Sequence, residues 1–323
     1  QITLTIPATQ SSARGRSPHY VSPNAGMFQS TVVSVNGNTT LPSGTPAVLT
    51  VALSTASGGN CTTDPLTLPI GRCVVTIQAP TGTVVYRFDL FDKTGGLRLA
   101  TAGPTFTMPA TGLHAQLSGI PAAVDLFTPA NLTSGETLSD NIGTNARDAT
   151  GAIISGTYFQ PFNVCSSDTS GHTTIRDDTA GGPIVPPAQC VRIVSPSSAI
   201  AFSYDGAQIP PITFTASGGT LPAGGFSRTI YAEPRIILAG TVKQPFSVSD
   251  LTFTGPGQTK SFTASQTGHT GPFGSTFACQ NGTVSVATAD HITFDVTALK
   301  SGTCSGTISG LQTSVEFIHF HVP

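Results

Sequence analysis

The sequence predicts an all-β chain: three tandem β-sandwich domains behind an extended N-terminal β arm. Three observations carry this. Apolar residues alternate with polar ones in short bounded runs, and no window sustains a 3.6-residue apolar period. The 323 residues include 35 Gly and 25 Pro, the punctuation of a chain with many turns. Six cysteines recur with a period of about 100 residues, the size of one sandwich domain. Disorder is the competing reading of such a composition, and it fails because apolar residues alternate within bounded runs and total 38%.

The arm comes first. In QITLTIPATQ, Ile2, Leu4 and Ile6 alternate with Thr3 and Thr5, a strand pattern from the first residues. A chain starting at Gln1 inside a strand reads as a mature product, with a Gln that can cyclise to pyroglutamate. Residues 8–26 are rich in Ser, Pro, Gly and Arg and read as an extended linker. Arm and linker together occupy 1–26. The first domain is expected over 27–118, with strands FQSTVVSV, AVLTVAL, CVVTIQAP and VVYRFDLF and a hairpin signal at Asn36-Gly37. In VVYRFDLF, Val84, Tyr86, Phe88 and Leu90 share one face, with Arg87 and Asp89 opposite. The second domain is expected over 119–239. It holds AIAFSYDG, PPITFTASGG and a polar loop, SSDTSGHTTIRDDTAGG. The third is expected over 240–323, with strands from LTFTG to SVEFIHFHV.

The cysteines stand at 61, 73, 165, 190, 279 and 304. Wide separation and the lack of a CxxC argue against zinc. Many pairings are open in principle; the clustering favours Cys61–Cys73, Cys165–Cys190 and Cys279–Cys304, one per domain. The last two pairs share a spacing of 25 residues. Six free buried thiols are the alternative. Disulfides place the chain outside the cytosol, secreted or at a cell surface.

Two stretches carry a resemblance. ITFDVTALKSGTCSGTISG joins an F-x-V-x-A strand to a GTC-x-GTI strand, and NARDATGAIISGTYFQPF has the pattern A-x-D-A-x-G-x-x-I-x-G-x-Y. Both resemble secreted bacterial surface proteins built of tandem immunoglobulin-like domains of the invasin type. The resemblance implies Ig-like sandwiches and a cell-surface setting over most of 28–323. It carries no catalytic residues to transfer.

Composition excludes several function classes. Charged residues make up 9%, against roughly 25% in a typical soluble protein. Net charge is −2, without basic runs, so no nucleic-acid footprint is present. No run of about 18 apolar residues occurs, so no membrane-spanning helix is expected. No HExxH, GxSxG, phosphate-loop or dinucleotide motif occurs, so no enzyme, cofactor or metal is expected. His319 and His321 form an HxH in the last strand; an exposed pair is favoured over a metal site. Asp168, Asp177 and Asp178 sit in one Gly-rich loop, where a calcium site is conceivable and a solvated loop is favoured. Asn38, Asn60, Asn131 and Asn281 head glycosylation sequons.

The preferred function is a structural subunit of an extracellular filament. The arm would be donated to a neighbouring copy, with Ile2, Leu4 and Ile6 filling pockets there, as in the donor-strand complementation of bacterial pili; the alternative for the arm is a strand that pairs within its own chain. The partner is then the chain itself, head to tail. The alternative is a secreted adhesin or glycan-binding module, using residues 166–189 to meet surface glycans or other cell-surface proteins.

Overall fold

A computed structural model describes residues 2–5, 22–64, 67–110, 113, 115–129, 132, 137–179, 188–207, 209–232, 235–238, 241–242, 249–279, 282–310 and 315–323. Among them every regular element is a strand, and the strands form three successive pairs of sheets. The chain is therefore a tandem array of β-sandwiches, with one disulfide in each.

The first pair uses β1 (Ile2–Thr5), β2 (Ala25–Val35), β3 (Val48–Ala52), β4 (Cys61–Asp64), β5 (Thr67–Val75), β6 (Gly82–Asp92), β7 (Arg98–Ala102), β8 (Thr105–Met108) and β9 (Ser118–Gly119). One sheet runs β3-β2-β6-β7-β9, with β8 also on β6; the other runs β1-β5-β4. The Asn36-Gly37 turn forms as its residues demand. Both have positive φ, 50° and 79°, and Val35 and Asn38 exchange backbone hydrogen bonds across it. Val84, Tyr86, Phe88 and Leu90 line the core beside Phe28. Arg87 is on the opposite, exposed face, but Asp89 departs from simple alternation and is buried. It is reconciled to burial by Thr101 Oγ1 at 2.7 Å and Arg87 Nε at 2.9 Å, with Arg98 3.5 Å away.

The second pair uses β10 (Ala123–Phe127), β11 (Leu138–Arg147), β12 (Phe162–Ser166), β13 (Thr173–Asp177), β14 (Cys190–Ile193), β15 (Ile200–Tyr204), β16 (Ile212–Ser217) and β17 (Phe226–Ile230). Its sheets run β10-β11-β15-β13 and β14-β12-β16-β17. The polar stretch 166–182 is thus not all loop. TTIRD within it forms β13, with Thr173 and Ile175 buried.

The third pair uses β18 (Arg235–Leu238), β19 (Thr241–Val242), β20 (Ser249–Thr252), β21 (Thr259–Ser265), β22 (Gly274–Ala278), β23 (Val284–Ala287), β24 (Thr293–Ala298), β25 (Gly302–Ser309) and β26 (Val315–Val322). Its sheets run β19-β18-β21-β24-β23 and β20-β26-β25-β22, with β20 parallel to β26. β18 pairs with β21, so backbone pairing passes to the third sandwich before residue 239. Phe262 and Phe294 stack at 4.9 Å in its core.

Among the described residues the apolar interior is in two parts. One continuous core runs from Ala25 to Ala232 and joins the first two sandwiches; a second, from Ile236 to Val322, belongs to the third.

Candidate functional site

The arm finds a place in this fold. β1 lies antiparallel to β5 of its own chain, with Ile2 opposite Val75 and Leu4 opposite Cys73. Ile6 lies outside the described residues. On its other side β5 is tied to β4, where Cys61 stands opposite Cys73 and is bonded to it. Cys73 and Val75 are fully buried core residues.

The hydrogen-bond pattern follows from the register. The Val74 amide donates to the Asn60 carbonyl at 2.8 Å, so Val74 points its backbone toward the β4 side. Antiparallel strands alternate the direction of their backbone groups. Cys73 and Val75 therefore point their N–H and C=O groups toward β1. β1 is an edge strand, and among the described residues it pairs with β5 alone. Removing it would bare that edge of β5, and with it unpaired donors and acceptors.

The other candidates resolve into local architecture. Asp168 does not gather with Asp177 and Asp178. It sits before β13, whereas Asp177 ends that strand and Asp178 follows it, separated by about 3.3 Å for each strand residue. The Asp168 carboxylate accepts from the amides and hydroxyls of Ser170 and Thr173 at 2.6–2.8 Å. Burial pushes its pKa up, but these hydrogen bonds outweigh that and hold it below the usual carboxylate range. Asp177 accepts from Thr179, and Asp178 lies 3.8 Å from Arg176. The Asp168 and Asp177 carboxylates brace turns.

Asp168 also reveals a repeat that sequence reasoning missed. Asp92-Lys93-Thr94-Gly95, Asp148-Ala149-Thr150-Gly151 and Asp168-Thr169-Ser170-Gly171 share the pattern D-x-[ST]-G. In each, the Asp accepts from the hydroxyl two residues on, at 2.5, 2.6 and 2.6 Å. The Gly has positive φ, at 75°, 85° and 83°. The recurrence itself was the available signal.

His319 and His321 are exposed on the outer face of β26, and His319 Nδ1 lies 3.8 Å from Asp250 Oδ1. Among the described residues no three His, Cys, Asp or Glu side chains cluster so as to hold a metal ion. His172 Nδ1 lies 2.8 Å from Asp205 Oδ2, and this bond, with one from the Ala207 amide, holds the Asp205 carboxyl below its usual range. Asn38 is exposed, and its Oδ1 accepts from the Thr40 amide at 2.8 Å. Asn60 Oδ1 accepts from the Ser54 amide at 3.0 Å. Asn131 and Asn281 lie outside the described residues. All six cysteines are paired, as Cys61–Cys73, Cys165–Cys190 and Cys279–Cys304. Such bonds are the chemistry of an oxidising environment. Among the described residues no helix is long and apolar enough to cross a membrane.

No family model and no curated protein matches the chain. Solved structures do. Invasin, a bacterial integrin-binding protein, is similar over 99% of this chain and 75% of its own, at 12% identity and a TM-score of 0.30. A two-domain piece (domains 5–6) of the S-layer protein SbsC is similar over 62% of this chain and 96% of its own, at 13% and 0.20. A β-glycosidase from Bacteroides vulgatus is similar over 71% of this chain, at 12% and 0.27, and the chain spans 24% of that enzyme's length.

Proposed function

We propose that this chain is a non-enzymatic structural subunit of an extracellular filament or cell-surface assembly, whose copies join by exchanging β1. The observation that carries the proposal is the pairing of β1 with the edge of β5, opposite the core residues Cys73 and Val75. A strand that completes a sheet within its own chain can complete the same sheet in a neighbour with every pairing conserved. The connection allows it: residues 6–24 separate β1 from β2, a reach of roughly 60 Å at about 3.3 Å per residue. Each copy then gives one strand and receives one. When each copy gives its strand to the next one rather than back to its donor, the contact is head to tail, and it propagates as a filament where its rotation does not close a ring.

Three further features support the reading. The disulfides suit an extracellular setting. The low charge, 9% of residues, leaves little repulsion between copies. The tandem sandwiches confine the giving strand and the receiving edge to the first sandwich, so the second and third stay outside that contact. The partner is a second copy of the chain, and no cofactor enters.

Electron microscopy of the purified full chain tests this directly. Filaments are expected for the full chain and none for a chain lacking residues 1–7. Filaments that persist unchanged after the deletion would overturn it.

A further inference from the structure

A second edge in the first sandwich is open, and its chemistry points to self-pairing. Among the described residues β3 (VLTVA) ends its sheet, with β2 on one side and no strand on the other. Its backbone directions are fixed by two bonds. The Leu53 amide donates to the Gly26 carbonyl, and the Val32 amide donates to the Ala47 carbonyl, both at 2.9 Å. With Met27 opposite Ala52 and Thr31 opposite Val48, Leu49 and Val51 therefore direct their N–H and C=O groups toward β2. Val48, Thr50 and Ala52 direct theirs away from the sheet. The same three residues carry exposed side chains, whereas Leu49 and Val51 are half-buried.

Edges exposed in this way are normally guarded by charge. Elsewhere in this molecule some of them are. Edge strands β4, β10, β13, β14, β17 and β20 each contain an Asp or Arg. β3 contains none, and no Asp, Glu, Lys or Arg occurs anywhere between Arg16 and Asp64. β1, β9, β19, β22 and β23 are uncharged as well, and β3 is the edge set in the longest charge-free stretch of the chain, residues 17–63.

We propose that β3 pairs antiparallel with β3 of a second copy, about a two-fold axis at Thr50. In that register Val48 faces Ala52 of the partner copy and Thr50 faces its own counterpart. Every outward N–H then meets an outward C=O. The contact is isologous and self-complementary, and like strands meet without any charge to repel them. It fuses the larger sheets of two copies into one. It is separate from the exchange of β1, which uses the smaller sheet, and it joins chains side by side rather than head to tail.

The test is concentration-dependent association of the full chain by analytical ultracentrifugation, with residue-resolved hydrogen exchange. Wild-type chain should associate, and the amides of Val48, Thr50 and Ala52 should become protected as it does. Thr50→Pro removes one outward N–H and leaves the ladder to β2 intact. It should weaken side-by-side pairing at least tenfold. Val48→Lys, at a position 50% exposed, should do the same without touching the core. Circular dichroism confirms that each variant is folded. The proposal is overturned if those three amides exchange freely in associated wild-type chain, or if both folded variants pair as tightly as wild type. A chain lacking residues 1–7 should keep this protection, so failure of β1 exchange and failure of β3 pairing give different results.

Discussion

At the scale of the residue, several acidic side chains in this molecule hold turns. Only 16 Asp and Glu occur in the whole chain, and several stand in the same local geometry. Asp92 is held below the usual carboxylate range first by the Thr94 hydroxyl and then by the Leu97 amide. Asp290 is held low by the amides of Thr293 and Ile292, and Asp205 by His172. Asp168 shares the behaviour despite its burial. In every case the folded pKa lies below the unfolded one, near 3.9. The unfolded chain therefore takes up protons first as pH falls. The stability these groups contribute is complete above that value and is lost as pH drops through the folded pKa values. Thermal unfolding should show an acid limb beginning below about pH 4, and Asp168→Asn should make that limb shallower. A variant whose limb matches wild type would remove Asp168 from this role. The D-x-[ST]-G pattern was visible in the sequence, but its meaning was not. An acidic residue in a Gly-rich loop serves a turn or a cation, and only the partners of its oxygens decide.

At the scale of the element, alternation proved the most legible signal. β16 and β24 follow it throughout, buried residues alternating with more accessible ones, and β6 follows it as far as Phe88. The Asn36-Gly37 turn was legible for the same reason: few residue pairs accept positive φ twice. β13 was hidden because its threonines and charges resemble a loop, and its burial comes from pairing with β15, far along the chain. Cross-strand packing was equally out of view. Phe277 lies opposite Gly306, and a Cβ at 306 would sit 2.2 Å from the Phe277 ring. The glycine is there because the ring occupies its side-chain space. Gly306→Ala should therefore destabilise the third sandwich by roughly 1–3 kcal/mol through overpacking. Urea unfolding measures this, and Gly255→Ala, where nothing crowds the position, is the control with an effect near zero.

At the scale of the whole molecule, the cysteine period marked three sandwiches, and the cores group them differently. The interior from Ala25 to Ala232 is continuous, and that from Ile236 to Val322 is separate. Sequence periodicity counts modules but does not register which ones share an interior. Contacts between the first two sandwiches are distributed over single residues, such as Thr220 Oγ1 on the Pro121 carbonyl and Ser118 on Thr157. Calorimetry should resolve two transitions, the first two sandwiches unfolding together and the third alone. Three transitions of similar size would contradict the shared core.

The proposed head-to-tail assembly depends on one strand. β1 was legible as a strand from its alternation, yet its partner was not, since pairing within a chain and pairing between chains require the same residues. The decisive measurement uses two single variants, Ile2→Cys and Val75→Cys, which stand opposite each other across β1 and β5. Directly opposed antiparallel residues lie within disulfide range. The two variants are mixed, allowed to assemble and oxidised, and separated on a non-reducing gel. Exchange of β1 between copies predicts a covalent heterodimer that neither variant forms alone. Absence of that dimer, with a chain carrying both substitutions closing only within single chains, would contradict the account.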